Sequence, residues 1–146
     1  MAHLHDTTVR TTLEARLRAL RADMTPRWGK MSVDQMLWHV NQAMATSLGR
    51  VEAPPDKAPL PRPVMKFLVL NLPWVKNAPT NTSFVARARH DFEAERARCL
   101  ELIKAVGDRP VAGVWQRHPM FGSMTGREVS RLQAKHLDHH FKQFGV

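Results

Sequence analysis

Two histidines four residues apart, His136 and His140, lie in the C-terminal stretch Lys135-His136-Leu137-Asp138-His139-His140-Phe141-Lys142-Gln143-Phe144. At about 100° per residue, one helical stripe collects Val129, Leu132, Gln133, His136, His140 and Gln143, with Phe144 at its edge and His139 turned toward the polar side. A pair spaced i,i+4 on a helix sets two imidazoles roughly 5–6 Å apart, near enough to share one metal ion. The plainer alternative is two core histidines, each satisfied by a single hydrogen bond. Either way, an imidazole on a buried stripe needs a partner once it leaves water.

Several other chemistries lack their residues. The chain has no Gly-rich phosphate loop of the G-x-x-x-x-G-K-[ST] or G-x-G-x-x-G type, no H-E-x-x-H, no C-x-x-C and no G-x-S-x-G. It has no tyrosine, and its one cysteine, Cys99, falls on an apolar helical stripe that reads as packing. Histidine remains. His39, at the flank of another apolar stripe, could join His136 and His140 if the two helices pack side by side. Three neutral nitrogens with open positions left on the ion is the arrangement of a catalytic zinc rather than a structural one. Ni²⁺, Fe²⁺ and Co²⁺ accept the same ligands, so residue type does not choose the metal. His118 is a candidate for the mouth of such a site, although His118-Pro119 in a loop also reads as local structure. Gln143, a turn from His139 and His140, is a candidate to orient a ligand.

Four long amphipathic helices are expected to position these residues. Val9, Leu13, Leu17 and Leu20 recur at helical spacing over 7–21. Ser32-Val33-Asp34-Gln35 reads as a capping box opening a helix that runs to about Leu48, with Gly49 as its stop. Asn81 or Thr82 is expected to start a third long helix, reaching about Val106, with Val85, Ala88, Phe92, Cys99, Ile103 and Val106 as its stripe. Thr125-Gly126-Arg127-Glu128 is a second capping box and opens the histidine helix. Seven of the ten prolines fall between 54 and 79, around the apolar run 64–72. That run is expected to be a short helix across the bundle end or a contact between subunits.

The expected architecture is all-α, a four-helix bundle in one domain over 1–146, with a long crossover connection between the second and third helices. The formal charge of +9 favours anionic partners. Arginines 87, 89, 96 and 98 nevertheless alternate with Asp91, Glu93 and Glu95. That interleaving describes solvated helix faces and argues against nucleic acid. A single cysteine, no apolar leader at Met1-Ala2-His3-Leu4-His5-Asp6, and no run of the ~18 to 20 apolar residues that a membrane span needs together predict a cytoplasmic protein.

The segment Trp28-Gly29-Lys30-Met31-Ser32-Val33-Asp34-Gln35-Met36-Leu37-Trp38-His39, taken with His136-Leu137-Asp138-His139-His140-Phe141-Lys142-Gln143, resembles the DinB/YfiT-like superfamily of metalloproteins over essentially the whole chain. Lys76-Asn77-Ala78-Pro79-Thr80, His118-Pro119-Met120-Phe121-Gly122 and the His-His-x-x-Gln-Phe-Gly ending are similar to a bacterial subset of unassigned function. The resemblance implies a His₃ divalent-metal site on the second and fourth helices, with His39, His136 and His140 as ligands, and frequent dimers. It also implies, as in some members, transfer or isomerisation of a substrate with a low-molecular-weight thiol, or, as in others, a metal-binding part of a sulfur-inserting enzyme. The expected activity is metal-assisted chemistry on a small-molecule substrate, with a thiol-dependent transferase or a hydrolase as the candidate classes. The competing expectation is a non-catalytic binding module that dimerises through 64–72 and takes an acidic partner.

Overall fold

The computed structural model describes residues 1–146. It contains five α-helices and no strand: α1 (Thr7–Ala19), α2 (Val33–Ser47), α3 (Arg62–Asn71), α4 (Phe92–Asp108) and α5 (Gly126–Gln143), with a short 3₁₀ turn at Thr82–Phe84. The all-helical expectation holds. The four long helices α1, α2, α4 and α5 form a bundle: α2 packs on α4 and α5, and α1 packs on the same two. Its centre is a continuous apolar cluster that includes Leu17, Met36, Leu37, Val40, Met44, Leu102, Ile103, Val106, Leu137 and Phe141, all fully buried.

Local sequence sets most of the helix starts. Asp6 caps α1 by accepting from the Thr8 and Val9 N–H groups at 2.8 and 3.2 Å. At α2, the Ser32 N–H donates to Gln35 Oε1 at 3.1 Å. At α5, both halves of the capping box form: Glu128 N–H donates to Thr125 Oγ1 at 3.2 Å and Thr125 N–H donates to Glu128 Oε2 at 2.8 Å. Gly49, at a φ of +76°, closes α2 in a conformation that a β-carbon disfavours.

The third long helix differs from expectation. It begins at Phe92, not at Asn81 or Thr82, and Val85 and Ala88 are exposed rather than part of its buried stripe. The reason is tertiary. The Asp34 carboxylate on α2 takes the Arg89 guanidinium (3.0 Å to Nε) and the His90 N–H (2.8 Å), which holds 81–90 off the helical path as a strap. Asp91 then caps the new start by accepting from Ala94 N–H at 2.7 Å.

The crossover from α2 to α4 carries α3, which lies against α5. Lys66 pairs with Glu128 at 3.1 Å, and Lys135 Nζ donates to the Val69 carbonyl at 2.8 Å. One face of α3 is left open, with Val64 43% and Phe67 62% exposed. No helix is long and apolar enough to cross a membrane.

Candidate metal centre

The bundle brings His39 of α2 against His136 and His140 of α5. Their ring centroids form a nearly equilateral triangle, with sides of 4.7, 4.8 and 4.8 Å. The ring planes are steeply inclined to one another, at 88°, 75° and 63°. One nitrogen from each ring lies within 4.8 Å of the others. His39 is 4% exposed, whereas His136 and His140 each keep 8%, so the cluster is buried yet still touches solvent.

Two of the rings have their tautomer imposed from outside. His39 Nδ1 lies 2.7 Å from the Phe84 carbonyl. A carbonyl only accepts, so Nδ1 carries the proton and Nε2 is a bare lone pair. His140 is set by a relay that starts at another backbone carbonyl. Gln143 Nε2 donates to Trp28 O at 2.7 Å, which turns Gln143 Oε1 toward His140 Nδ1, also at 2.7 Å. His140 Nδ1 must therefore be the donor, and its Nε2 is bare as well. Gly29 lets the Trp28 loop come this close: its φ is +79°, and a β-carbon there would stand 2.7 Å from Gln143 Nε2. The third ring, His136, places its Nε2 2.8 Å from His39 Nε2. Since His39 Nε2 can only accept, His136 supplies the hydrogen of that contact in the metal-free protein.

Electrostatics keep these rings neutral. Burial lowers all three below the usual histidine range, with the neighbouring imidazoles adding to the effect; His140 is pushed down to about 3. For His39 the Phe84 carbonyl partly opposes this by favouring the charged form. No carboxylate or thiol joins the cluster. Three neutral imidazoles that converge, stay unprotonated and reach solvent are a donor set that could hold a divalent ion with positions to spare.

His118 lies beside the triangle rather than in it. Its ring stacks on Phe121 at 4.1 Å and meets Phe84 edge-on at 6.3 Å. Its Nδ1 accepts from the Met120 and Phe121 N–H groups at 3.1 and 3.3 Å, which puts the proton of the neutral ring on Nε2. Burial pushes it down to about 4. Cys99 is fully buried in the core, and burial raises its thiol far above the usual range, with Glu95 adding to the effect.

Sequence reasoning did not single out the aromatic wall. Trp74 lies 5.5 Å from both His136 and His139, and Trp28 lies 5.7 Å from His139. Lys76 sits over Trp28 at 4.7 Å and Lys135 beside Trp74 at 5.6 Å. The available signal was tryptophan in Gly- and Pro-rich loops, where an aromatic residue has no helix stripe to serve.

The fold and this cluster define an all-helical protein with a buried three-histidine centre that could hold a metal ion. A family model described as "Protein of unknown function (DUF1569)" matches residues 3–145, and the chain belongs to that family. No curated protein and no solved structure matches it.

Proposed function

We propose that the chain is one domain of the DinB/YfiT-like superfamily that binds a single divalent metal ion through His39, His136 and His140. The observation that carries this reading is the near-equilateral ring triangle with two tautomers fixed so that bare Nε2 atoms face inward. Isolated core histidines would need only one hydrogen bond each; here the outward nitrogens of His39 and His140 are satisfied, the inward Nε2 of His140 is left over, and the inward Nε2 of His39 has only the His136 ring as its partner.

The activity that fits is chemistry on a small molecule, as a thiol-dependent transferase or a hydrolase. A bound divalent ion would supply Lewis acidity and lower the pKa of a water or thiol. Any thiol would have to come from a cosubstrate, because Cys99 is sealed in the core. His118, with its Nε2–H tautomer, is the donor we assign to an oxygen of the bound molecule. Lys76 and Lys135 have no carboxylate partner and flank the tryptophans, which favours an anionic group over Trp28 and Trp74. A reduced, buried cysteine supports a reducing compartment such as the cytoplasm.

Elemental mass spectrometry of untagged protein tests the site. Near-stoichiometric zinc, nickel or iron is expected, and it is lost in His136→Ala and His39→Ala. Protein that stays empty after dialysis against each of the three metals would overturn it.

One observation favours a second reading. Val64 and Phe67 are exposed on α3, and Leu60 is exposed on its lead-in. A dimer closed through this stripe, acting as a binding module for an acidic partner, accounts for an apolar face that the bundle does not use.

A further inference from the structure

The strap 81–91 is attached to α2 over 84–90, through Asp34, Gln35, Trp38 and His39. Gln35 Nε2 donates to the Ala88 carbonyl at 3.2 Å. Asp34 takes Arg89 Nε at 3.0 Å, Arg89 Nη2 at 2.9 Å and the His90 N–H at 2.8 Å. Trp38 stacks on His90, with 5.2 Å between centroids and 12° between planes. At the far end, Asp56 accepts from the Thr82 N–H at 3.2 Å, and the Asn81 side chain accepts from Ser83 N–H at 2.9 Å. Between these attachments the Phe84 carbonyl meets His39 Nδ1. Thus the group that fixes the His39 tautomer is a backbone atom at the end of a single 3₁₀ turn, outside the α-helices, on a segment that would be free without its attachments.

We infer that the Asp34–Arg89 pair is a positioning device for the metal centre: it holds the strap so that the Phe84 carbonyl locks His39 with Nε2 bare and facing His136 and His140. This inference rests on the metal-binding reading above. Asp34 is 2% exposed, a costly place for a carboxylate unless it is paired. Burial alone would raise its pKa, but the Arg89 and His90 hydrogen bonds outweigh that and hold it well below the usual carboxylate range. A buried acid so fully engaged with a strap residue is more than a helix cap requires. An uncharged N-cap side chain satisfies the first turn of a helix just as well. Of the strap's links to α2, this pair is the one between opposite charges, and charge-assisted bonds are the stronger kind. Its loss leaves the Phe84 carbonyl dependent on Asp56, on Gln35 and on the Trp38–His90 stack.

The test compares wild type with Arg89→Gln, Asp34→Asn and Arg89→Lys. Arg89 is 75% exposed in its side chain, so Arg89→Gln keeps the test valid if Asp34→Asn fails to fold. The first readout needs no metal. Imidazole ¹⁵N shifts of the metal-free protein at neutral pH are expected to show His39 as the single Nδ1–H tautomer in wild type and in Arg89→Lys. A mixture of tautomers is expected in Arg89→Gln and Asp34→Asn. The second readout is Zn²⁺ affinity by competition with a chromogenic chelator. Removing a group that touches a ligand directly weakens metal binding about 10- to 100-fold. For a group one contact further out, the lower figure, about tenfold, is expected, with Arg89→Lys restoring most of it. An unchanged His39 tautomer in Arg89→Gln, even with a lower melting temperature, overturns the inference and makes the pair a purely structural clamp. If wild type itself binds no Zn²⁺, the metal-binding reading fails, while the tautomer comparison still decides whether Asp34 and Arg89 position His39.

Discussion

Gln143→Leu isolates the relay between the Trp28 loop and His140. Leucine keeps the apolar volume of the side chain on the buried face of α5, where Gln143 is 3% exposed. It removes two hydrogen bonds of 2.7 Å, one to His140 Nδ1 and one to the Trp28 carbonyl. A buried hydrogen bond contributes about 1 kcal/mol net, and more when its former partner is left unpaired in the interior. The Trp28 carbonyl lies at a half-buried loop that water can reach, so the larger penalty falls at His140. About 2 kcal/mol of destabilisation is expected. An unfolding entropy of about 2 cal/mol/K per residue turns that into a fall in melting temperature of roughly 6 to 7 °C, readable by calorimetry of the metal-free protein. Zinc affinity is expected to fall about 10- to 100-fold, because His140 is then free to place its proton on Nε2. Gln143→Glu separates the two effects. Its carboxylate still accepts from His140 Nδ1–H but cannot donate to Trp28 O, so it should lose stability while holding zinc within about threefold of wild type. Equal zinc weakening in both variants would refute the tautomer argument and leave Gln143 as a loop anchor.

Two further outcomes follow from the same structure. Burial depresses the pKa values of His39, His118, His136 and His140, the second to about 4 and the last to about 3. The unfolded chain therefore binds more protons than the folded one below about pH 6.5. Stability is fully present above that pH and is lost as pH falls toward the folded values, by about 1.4 kcal/mol per pH unit for each histidine involved. Urea midpoints for metal-free protein that stay level from pH 7.5 to 5 would show these rings to be more accessible than they are here. At the α3 face, Phe67→Asp should convert a dimer to a monomer on light scattering without loss of bound metal. A wild-type protein that is already monomeric at high concentration would remove the docking role of this stripe.

What could be read from the sequence was what is decided locally. The capping box at Thr125, the Gln35 half of the one at Ser32 and the α5 stripe depend on neighbours a few residues away, and each is present. The α4 start was misread for the opposite reason. Val85, Ala88 and Phe92 fall at helical spacing, but the residue that overrules the spacing is Asp34, more than fifty positions earlier. His39 is an intermediate case: its stripe gave only its flank position, and the packing of α2 on α5 brings it into the triangle. Gln143 was legible as a candidate to orient a ligand, but the backbone groups behind the two tautomers were not legible at all. Phe84 and Trp28 act through backbone carbonyls, which every residue possesses, so no side-chain pattern announces them.

These carbonyls change how the site should be understood. An HxxxH pair on α5 supplies two imidazoles, but the orientation of His140 is settled by the Trp28 loop and that of His39 by the 81–91 strap, both outside the four long helices. Each loop is thus a thermodynamic partner of the ligand set: whatever orders the loop favours the bare-nitrogen geometry, and whatever binds that geometry orders the loop in return. Linkage makes the two directions equal. An ion at about a hundred times its dissociation constant would add roughly 2.7 kcal/mol to folding, and the loops should share in it with the helices. A peptide carrying α5 alone would keep His136 and His140 but lack His39 and the Trp28 carbonyl behind the His140 relay. The centre is therefore a property of the whole bundle with its straps, and the spacing on α5 supplies two of its three imidazoles without fixing how they point.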